Sequence, residues 1–294
     1  MAILVTDKTK VLIQGITGKE GSKVALQMQN YGTKVLAGVT PGKGGLEVHG
    51  VPVYNTVAEA LQNHPGINTS FVAVPNFAAY GAIEEAISSK IPLINVLTEH
   101  IPIQDTAKAI ALAREAGVRI VGPSSIGIIS PGIGKVGSIG GDDPRGVFRK
   151  GSVGVISKSG GMASEVSWIL TKNGMGQSTV IGIGGDILVG STFADLMEEF
   201  EKDPQTESVV LFGEIGGTYE EDAADLIKSG KFTKKVVAFV SGLFAETLPQ
   251  GTKLGHAGAI IYGDKGSYKS KIKALESAGV KIAKTPDEIP ELLK

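Results

Sequence analysis

The sequence predicts an α/β protein made of two doubly wound domains. Short apolar runs rich in β-branched residues alternate with amphipathic stretches of helical length in both halves of the chain. This pattern is typical of parallel sheets covered by helices. Glycine makes up 41 of the 294 residues and clusters directly after the apolar runs, where strand-to-helix turns are expected. Ligands are therefore expected at the carboxyl ends of the strands.

The first half of the chain, residues 1–130, is predicted to form one domain. Its strands are predicted at 11–13, 35–39, 71–74, 93–97 and 119–121, and its helices at 22–31, 56–63, 78–88 and 105–116. The loops that follow the first four strands at the carboxyl edge are 15–21, 40–45, 75–77 and 98–100. We expect a ligand site on these loops.

The alternation lapses between residues 130 and 151, where glycine, proline and charged residues prevail. This composition is typical of a linker, so the linker is predicted at 131–150 and a second domain at 151–294. Strands of the second domain are predicted at 153–156, 179–183, 209–212 and 235–240. Its helices are predicted to end near 173 and to span 192–201, 220–229 and 270–278.

Composition excludes several classes of function. The net charge is −1 and no basic run carries interleaved aromatic residues, so a nucleic-acid partner is not expected. There is no cysteine, which excludes disulfides, thiolate metal sites and cysteine nucleophiles. No secretory signal or membrane-spanning run is recognised. A cytoplasmic protein is expected, or one of the mitochondrial matrix in a eukaryote.

A histidine in a glycine loop is the first candidate catalytic residue. The segment is Gly255-His256-Ala257-Gly258-Ala259-Ile260, in a chain with four histidines. Glycine allows the backbone to bend and to approach a ligand closely, and imidazole is a nucleophile near neutral pH. The segment indicates a group carrier. The alternative is an ordinary turn whose histidine caps or packs.

The first glycine turn is a candidate phosphate site. Its spacing is Gly15-x-x-Gly18-x-x-Gly21, and the N-terminus of the following helix offers free N–H groups to an anion. Lys43 follows the next strand and is a second candidate phosphate contact. Together these loops favour a nucleotide-like ligand with separated phosphates. The alternatives are a tight turn and a solvated lysine.

Two loops of the second half complete a possible mechanism. Ser159-Gly160-Gly161 opens a predicted helix and is a candidate site for the phosphoryl group of phosphorylated His256. Glu214 ends a predicted strand and is a candidate acceptor for one imidazole nitrogen, which would leave the other nitrogen free to attack phosphorus. His49 and His64 are expected at the surface and His100 in a structural role. No spacing of His, Asp or Glu predicts a metal site.

The chain resembles the α subunits of succinyl-CoA synthetases, which are succinate–CoA ligases, over nearly its whole length. The resemblance is carried by Gln14-Gly15-Ile16-Thr17-Gly18, Gly38-Val39-Thr40-Pro41-Gly42-Lys43-Gly44-Gly45, Gly182-Ile183-Gly184-Gly185-Asp186, Gly213-Glu214-Ile215-Gly216-Gly217 and the His256 segment. It implies an N-terminal Rossmann-like CoA-binding domain and a C-terminal flavodoxin-like ligase domain. It also implies that His256 is phosphorylated transiently and that Glu214 orients it.

The resemblance further implies where the cofactor and the partner bind. The expected coenzyme A contacts are Thr17, Gly18, Lys19, Glu20, Lys43, Pro75, Leu97, Thr98, Glu99 and Ser124. A separate ATP-grasp β subunit is expected to bind ATP or GTP with Mg²⁺, in an αβ or α2β2 assembly. The implied reaction phosphorylates His256, passes the phosphoryl group to a carboxylate, and forms the thioester when coenzyme A displaces phosphate.

Two segments depart from the pattern of the succinate enzymes. Gly122-Pro123-Ser124-Ser125-Ile126-Gly127 replaces Gly-Pro-Asn-(Cys or Thr)-Pro-Gly, and Ser164 stands where the family has a tyrosine near the substrate. The segment Ser159-Gly160-Gly161-Met162 is similar to that of ATP-citrate lyase and citryl-CoA synthetase. Succinate is the first expectation for the acid, and citrate or a related acid is the alternative.

Two other classes of function stay open at this point. A nicotinamide oxidoreductase would fit the doubly wound first domain, but the Gly-x-Gly-x-x-Gly spacing is absent and Val39-Thr40 ends the second strand without an acidic residue. A non-catalytic coenzyme A sensor would use the loops of the first domain without His256. The ligase is the favoured function.

Overall fold

The computed structural model describes residues 2–244, 256–259 and 266–294. Within these ranges the strands form two seven-stranded sheets, and helices pack against both. The α/β class predicted from the sequence is confirmed. No helix in the described part is long and apolar enough to cross a membrane.

The first sheet holds the strands of the N-terminal part. These are β1 (Lys10–Gln14), β2 (Lys34–Val39), β3 (Glu47–Val48), β4 (Val51–Tyr54), β5 (Thr69–Val72), β6 (Leu93–Val96) and β7 (Arg119–Val121). Its helices are α1 (Lys19–Tyr31), α2 (Val57–Asn63), α3 (Asn76–Ser88) and α4 (Ile103–Ala116). The order is β3-β4-β2-β1-β5-β6-β7, parallel except for the β3–β4 pair.

The second sheet holds the remaining strands. These are β8 (Gly127–Ser130), β9 (Gly134–Gly137), β10 (Lys150–Ser157), β11 (Gln177–Gly182), β12 (Ser208–Glu214), β13 (Lys235–Ser241) and β14 (Lys281–Ile282). Its helices are α5 (Gly160–Lys172), α6 (Phe193–Lys202), α7 (Tyr219–Lys228), α8 (Tyr268–Ser277) and α9 (Ile289–Leu293). The order is β14-β13-β12-β10-β11-β8-β9, with β8 antiparallel to both of its neighbours.

The hairpin β8–β9 is absent from the predicted elements. Its strands are short and carry glycine at their ends, so the sequence there looks like a loop. Gly127 and Gly137 face each other with positive φ, and a Cβ at Gly127 would overlap the carbonyl of Val136. β8 starts inside the predicted first domain and β9 lies inside the predicted linker, yet both belong to the second sheet. The domain boundaries stay a prediction.

Helix α1 begins three residues before its predicted start. Gly21 was expected in the turn, but it lies inside the first turn of α1, where a Cβ would overlap the carbonyl of Gly15. The glycine therefore permits close contact between helix and strand end. The helix ends at Gly32, whose φ of 102° allows its N–H to reach the carbonyls of Met28 and Gln29.

Helix α1 also joins the two sheets. The Gly137 N–H donates to Met28 Sδ at 3.4 Å, and the Thr33 hydroxyl donates to the carbonyl of Lys135 at 2.7 Å. Met28 and Val136 belong to one continuous apolar core that reaches strands of both sheets. The hairpin thus packs against the first domain while it extends the second sheet.

Candidate active site

The first glycine turn brings three strand ends into close contact. Gly15 follows β1 with a φ of +84°, and its N–H donates to the carbonyl of Val39 at 2.8 Å. A Cβ at this position would overlap the carbonyl of Ala73. A side chain is excluded here because of both the backbone conformation and the crowding. The turn leaves bare backbone at the edge of the sheet.

An apolar cavity of about 460 Å³ opens beside this turn. Its walls come from the ends of β1, β2 and β5 and from one face of α3. They include Gln14, Gly15, Thr17, Gly18, Thr40, Val74, Pro75, Gly81 and Glu85. The size and the apolar walls suit a flat aromatic group such as a nucleobase.

A second cavity, of about 630 Å³, shares the wall formed by Gly18 and Pro75. It is lined by most of the residues expected to contact coenzyme A, namely Gly18, Lys19, Glu20, Pro75, Leu97, Thr98 and Glu99. Lys43 lies next to these cavities, and its ammonium donates to the hydroxyl of Thr17 at 3.3 Å. The structure therefore brings together residues from four separate loops.

A third and small cavity, of about 80 Å³, connects the two halves of the protein. Glu99, His100 and Ser124 of the first half line it together with Gly185, Asp186, His256 and Ala257 of the second half. The Ser124 hydroxyl donates to Glu99 Oε1 at 3.1 Å. Glu99 lines both the second and the third cavity, so these two cavities lie side by side between the first sheet and His256.

His256 is held by a carboxylate and by bare backbone. Its Nδ1 lies 2.6 Å from Glu214 Oε2. The ring covers Gly185, where a Cβ would overlap the imidazole, and the Gly258 N–H donates to the carbonyl of Gly185 at 3.0 Å. Gly255 and Ile260 of the predicted loop lie outside the described residues. Since an ionised carboxylate can only accept, Nδ1 carries the proton in the neutral ring and Nε2 carries the lone pair.

The carboxylate also makes the imidazole easier to protonate. The hydrogen bond to Glu214 raises the pKa of His256 above its ordinary value of 6.5. Partial burial opposes this rise, the negative charges of Glu214 and Glu99 support it, and the Lys158 ammonium opposes it. The side chain of His256 is 38% exposed and that of Glu214 is 12% exposed, so the pair lies at the edge of solvent.

Several predicted site residues lie away from this pair. Ser159 caps α5, where its hydroxyl accepts from the Met162 N–H at 3.4 Å. Among the described residues no hydrogen bond joins Ser159, Gly160 or Gly161 to His256. Ser164 lies one turn further along α5, is half-buried, and lines none of the three cavities described above.

The remaining histidines are engaged elsewhere or line the site. His49 Nε2 lies 2.9 Å from the Ser22 hydroxyl, and His64 Nε2 lies 3.0 Å from the Tyr54 hydroxyl. His100, expected to be structural, lines the small cavity beside His256. In the described ranges no cluster of three His, Asp or Glu residues is arranged to hold a metal ion.

The comparisons with known families agree with the two-sheet architecture. The chain matches the CoA binding domain over residues 6–100 and the CoA-ligase domain over residues 156–285. A coenzyme A-binding domain followed by a ligase domain defines the class, a coenzyme A ligase that acts as a subunit of a larger enzyme.

The chain belongs to the family of succinate–CoA ligase α subunits. It is 48% identical over 293 residues to succinate–CoA ligase [ADP-forming] subunit alpha of Aquifex aeolicus, covering 99% of this chain and 93% of the relative. It is also 48% identical to subunit alpha 2 of Archaeoglobus fulgidus, covering 100% and 99%. The resemblance predicted from the motifs is confirmed.

A solved structure shows the same fold at lower identity. ATP citrate lyase from Methanothrix soehngenii, in complex with citrate and coenzyme A, matches with a TM-score of 0.92 and 26% identity. The match covers 99% of this chain, which spans 50% of that chain. The citrate alternative is therefore supported only weakly compared with succinate.

Proposed function

We propose that this chain is the α subunit of a nucleoside-diphosphate-forming succinate–CoA ligase that works through phosphorylated His256. The observation that carries the proposal is the 2.6 Å contact between His256 Nδ1 and Glu214 Oε2, beside the small cavity that Glu99 and Ser124 of the first half also line. A coenzyme A sensor would need the cavities of the first domain but not an oriented imidazole at their end.

Glu214 would prepare the nucleophile. It accepts a hydrogen bond from the N–H at Nδ1, so the lone pair of Nε2 faces away from the carboxylate and is available to attack a phosphorus atom. As the γ-phosphorus bonds to Nε2, its bond to the bridging oxygen would break and the nucleoside diphosphate would leave. The imidazole becomes positively charged in this step, and the negative charge of Glu214 stabilises this form. His256 then holds the phosphoryl group until a carboxylate substrate takes it.

Coenzyme A fits the cavities of the first domain. The bare backbone at Gly15 and Gly18 and the N-terminus of α1 would contact phosphate, and Lys43 would supply a positive charge. The apolar cavity under Gly81 would hold the adenine ring. When bound, coenzyme A supplies the thiol that displaces phosphate from the acyl phosphate, and Glu99 and Ser124 would line the approach to His256.

The other expected site residues would act after phosphorylation. The N-terminus of α5, at Ser159, Gly160 and Gly161, would accept the anionic phosphoryl group on its free N–H groups. This role requires phosphorylated His256 to approach α5. Ser164, where the family has a tyrosine, would leave space for a larger acid, which is the feature that favours the citrate alternative.

The family implies a β partner, and we propose that it is an ATP-grasp subunit that binds ATP or GTP with Mg²⁺. An αβ or α2β2 assembly in the cytoplasm is proposed. The proposed domains are 1–130 and 151–294, joined by the linker 131–150. The β8–β9 hairpin, which precedes residue 151 in the sequence, pairs with the second sheet.

The test uses the chain copurified with its coexpressed partner. Incubation with γ-labelled ATP and Mg²⁺ should give acid-labile, base-stable phosphate on the α chain. His256→Asn should remove the label, whereas His100→Asn, which changes another histidine of the same small cavity, should retain it.

The acid is identified by discharge of the label. Succinate with coenzyme A should discharge it faster than citrate with coenzyme A. Faster discharge by citrate would replace succinate with the alternative acid, and absence of label in the complex would contradict the phosphohistidine mechanism.

A further inference from the structure

A cluster of four charged residues, three of them buried, lies directly behind Glu214. We name it the ionic cluster: Lys158 after β10, Glu220 and Glu221 on α7, and Lys271 on α8. Glu220 and Lys271 are fully buried and Lys158 is 5% exposed. None of these residues belongs to the proposed phosphoryl-transfer pair.

Glu220 contacts both lysines and the backbone of β12, the strand that ends at Glu214. Its Oε1 lies 3.4 Å from the Lys158 ammonium and accepts from the Glu214 N–H at 3.0 Å. Its Oε2 contacts the Lys271 ammonium. A Cβ at Gly213 would lie 2.5 Å from Glu220 Oε1, so the carboxylate packs tightly against the strand that carries Glu214.

The two lysines hold the loop that follows Glu214. Lys158 Nζ donates to the carbonyl of Gly216 at 3.3 Å, and Lys271 Nζ donates to the carbonyl of Gly217 at 3.0 Å. Both glycines have positive φ, 87° and 62°. The loop conformation therefore depends on these ammonium groups as well as on glycine.

The charges in the cluster stabilise each other. Complete burial on its own would raise the pKa of Glu220, but Lys158 and Lys271 outweigh this effect and hold the pKa below its ordinary value. Glu220 therefore stays ionised. A buried ion pair of this kind adds little to stability compared with apolar packing, but it fixes geometry, and the loss of one partner is costly.

From these contacts we propose that Glu220 is a positioning residue, which fixes Glu214 so that Glu214 orients His256 for phosphorylation. The inference rests on the proposed function. Glu220 reaches the reacting nitrogen only through the Glu214 backbone, the Glu214 carboxylate and the 2.6 Å contact with His256. Its loss should loosen that contact while the ligand cavities of the first domain stay intact.

The first test compares Glu220→Gln with Glu221→Gln. Glu221 contacts the same Lys271, at 3.2 Å, and accepts from the Ser270 hydroxyl at 2.6 Å, but the structure shows no contact with Glu214. NMR titration of the full chain measures the pKa of His256, which reports its contact with Glu214. The chain has four histidines, and the signal that is missing in His256→Asn belongs to His256.

We expect the pKa of His256 to fall in Glu220→Gln and to stay unchanged in Glu221→Gln. In the complex with the β partner, Glu220→Gln should slow phosphorylation by about 10-fold or more, as expected when a reacting group is misplaced. Its KM for ATP should stay within about 2-fold, since only the phosphorylation step should respond. Equal pKa values and rates in the two variants would overturn the proposal.

The second test separates positioning from charge. Among the described residues, Glu214, Glu99, Asp186 and Lys158 are the charged groups that face or influence His256. By charge alone, Lys158→Met should raise the pKa of His256, because Lys158 lowers it. If Lys158 positions Glu220 and the loop, the same change should lower this pKa, and Lys158→Arg should restore it. A raised pKa in Lys158→Met would overturn the proposal.

A stability control covers loss of folding. Lys135→Met also removes a fully buried lysine, one that donates to the carbonyls of Ile139 and Gly141 outside the site. It should lower the melting temperature without moving the pKa of His256. If Glu220→Gln does not fold, the comparison of Lys158→Met with Lys158→Arg tests the proposal instead. If the wild-type complex shows no phosphorylation while the pKa shifts occur, the mechanism fails but the positioning of His256 stands.

Discussion

The two halves of the site are built by different means. The ligand cavities of the first sheet are made largely of backbone and apolar atoms, with glycine at Gly15 and Gly18 beside the cavity walls. The His256 region depends on charged side chains, Glu214 and the buried ionic cluster behind it. Binding in the first half should therefore respond to shape, and chemistry in the second half to charge and orientation.

The largest expected effect comes from crowding the imidazole. In Gly185→Ala the new Cβ would overlap the His256 ring, so the ring must leave Glu214. Phosphorylation should fall by about 100-fold or more, while coenzyme A affinity changes little. The control is Gly146→Ala, where a Cβ meets nothing within 4 Å. An unchanged phosphorylation rate in Gly185→Ala would contradict the inference that the chemistry depends on the orientation of His256.

The second prediction damages the first half. Gly15→Ala places a Cβ at a φ of +84° against the carbonyl of Ala73. The strain alone costs roughly 1–2 kcal/mol, and the wall of the apolar cavity must move. Calorimetry should show coenzyme A affinity at least about 10-fold weaker, with the phosphorylation rate near that of the wild type. Normal affinity would contradict the assignment of the cavity.

The third prediction concerns pH. The hydrogen bond to Glu214 raises the pKa of His256, and only the neutral imidazole attacks phosphorus. The phosphorylation rate should therefore rise as the pH increases through this raised pKa. In Glu214→Gln the inflection should move to lower pH and the maximal rate should fall. If the pH–rate profile of Glu214→Gln keeps the wild-type inflection, Glu214 does not raise this pKa.

The same pair links pH to stability. Because the pKa of folded His256 lies above the unfolded value, its stabilising contribution is present below the unfolded pKa and is lost as the pH rises through the folded pKa. Denaturant titrations at several pH values should show this loss in the wild type and a smaller one in Glu214→Gln.

The smallest effect is expected at Lys43. Its side chain is exposed and reaches the Thr17 hydroxyl at 3.3 Å, so a contact with phosphate there would be screened by solvent. Lys43→Ala should weaken coenzyme A binding by about 5-fold, and by less at high salt. The exposed Lys8 provides the control, since Lys8→Ala should leave binding unchanged.

The sequence predicts the ligand half of the site better than the chemical half. Each loop proposed to contact coenzyme A is a continuous segment after an apolar run, so the parallel-sheet rule alone brings Gly18, Pro75 and Thr98 to one edge. The structure places all three in the walls of one cavity. The local sequence pattern was sufficient there because a parallel sheet brings the loops after its strands to the same edge.

The ionic cluster was missed because it has no local pattern. Lys158, Glu220 and Lys271 come from three separate segments, and their contact depends on how α7 and α8 pack, so no spacing along the chain indicates it. The β8–β9 hairpin was missed for a related reason, because glycines that allow close strand crossing look like loop residues in the sequence. The Glu214–His256 pair was predicted from chemistry rather than from proximity.

Phosphorylated His256 should be a true intermediate of the ligase reaction, and rapid mixing tests this. The complex is labelled with γ-labelled ATP, freed of nucleotide, and mixed rapidly with succinate and coenzyme A. We expect the label to leave His256 at least as fast as the enzyme turns over, and succinyl-CoA to form in matching amount. Label that stays on His256, or that leaves more slowly than turnover, would contradict this expectation.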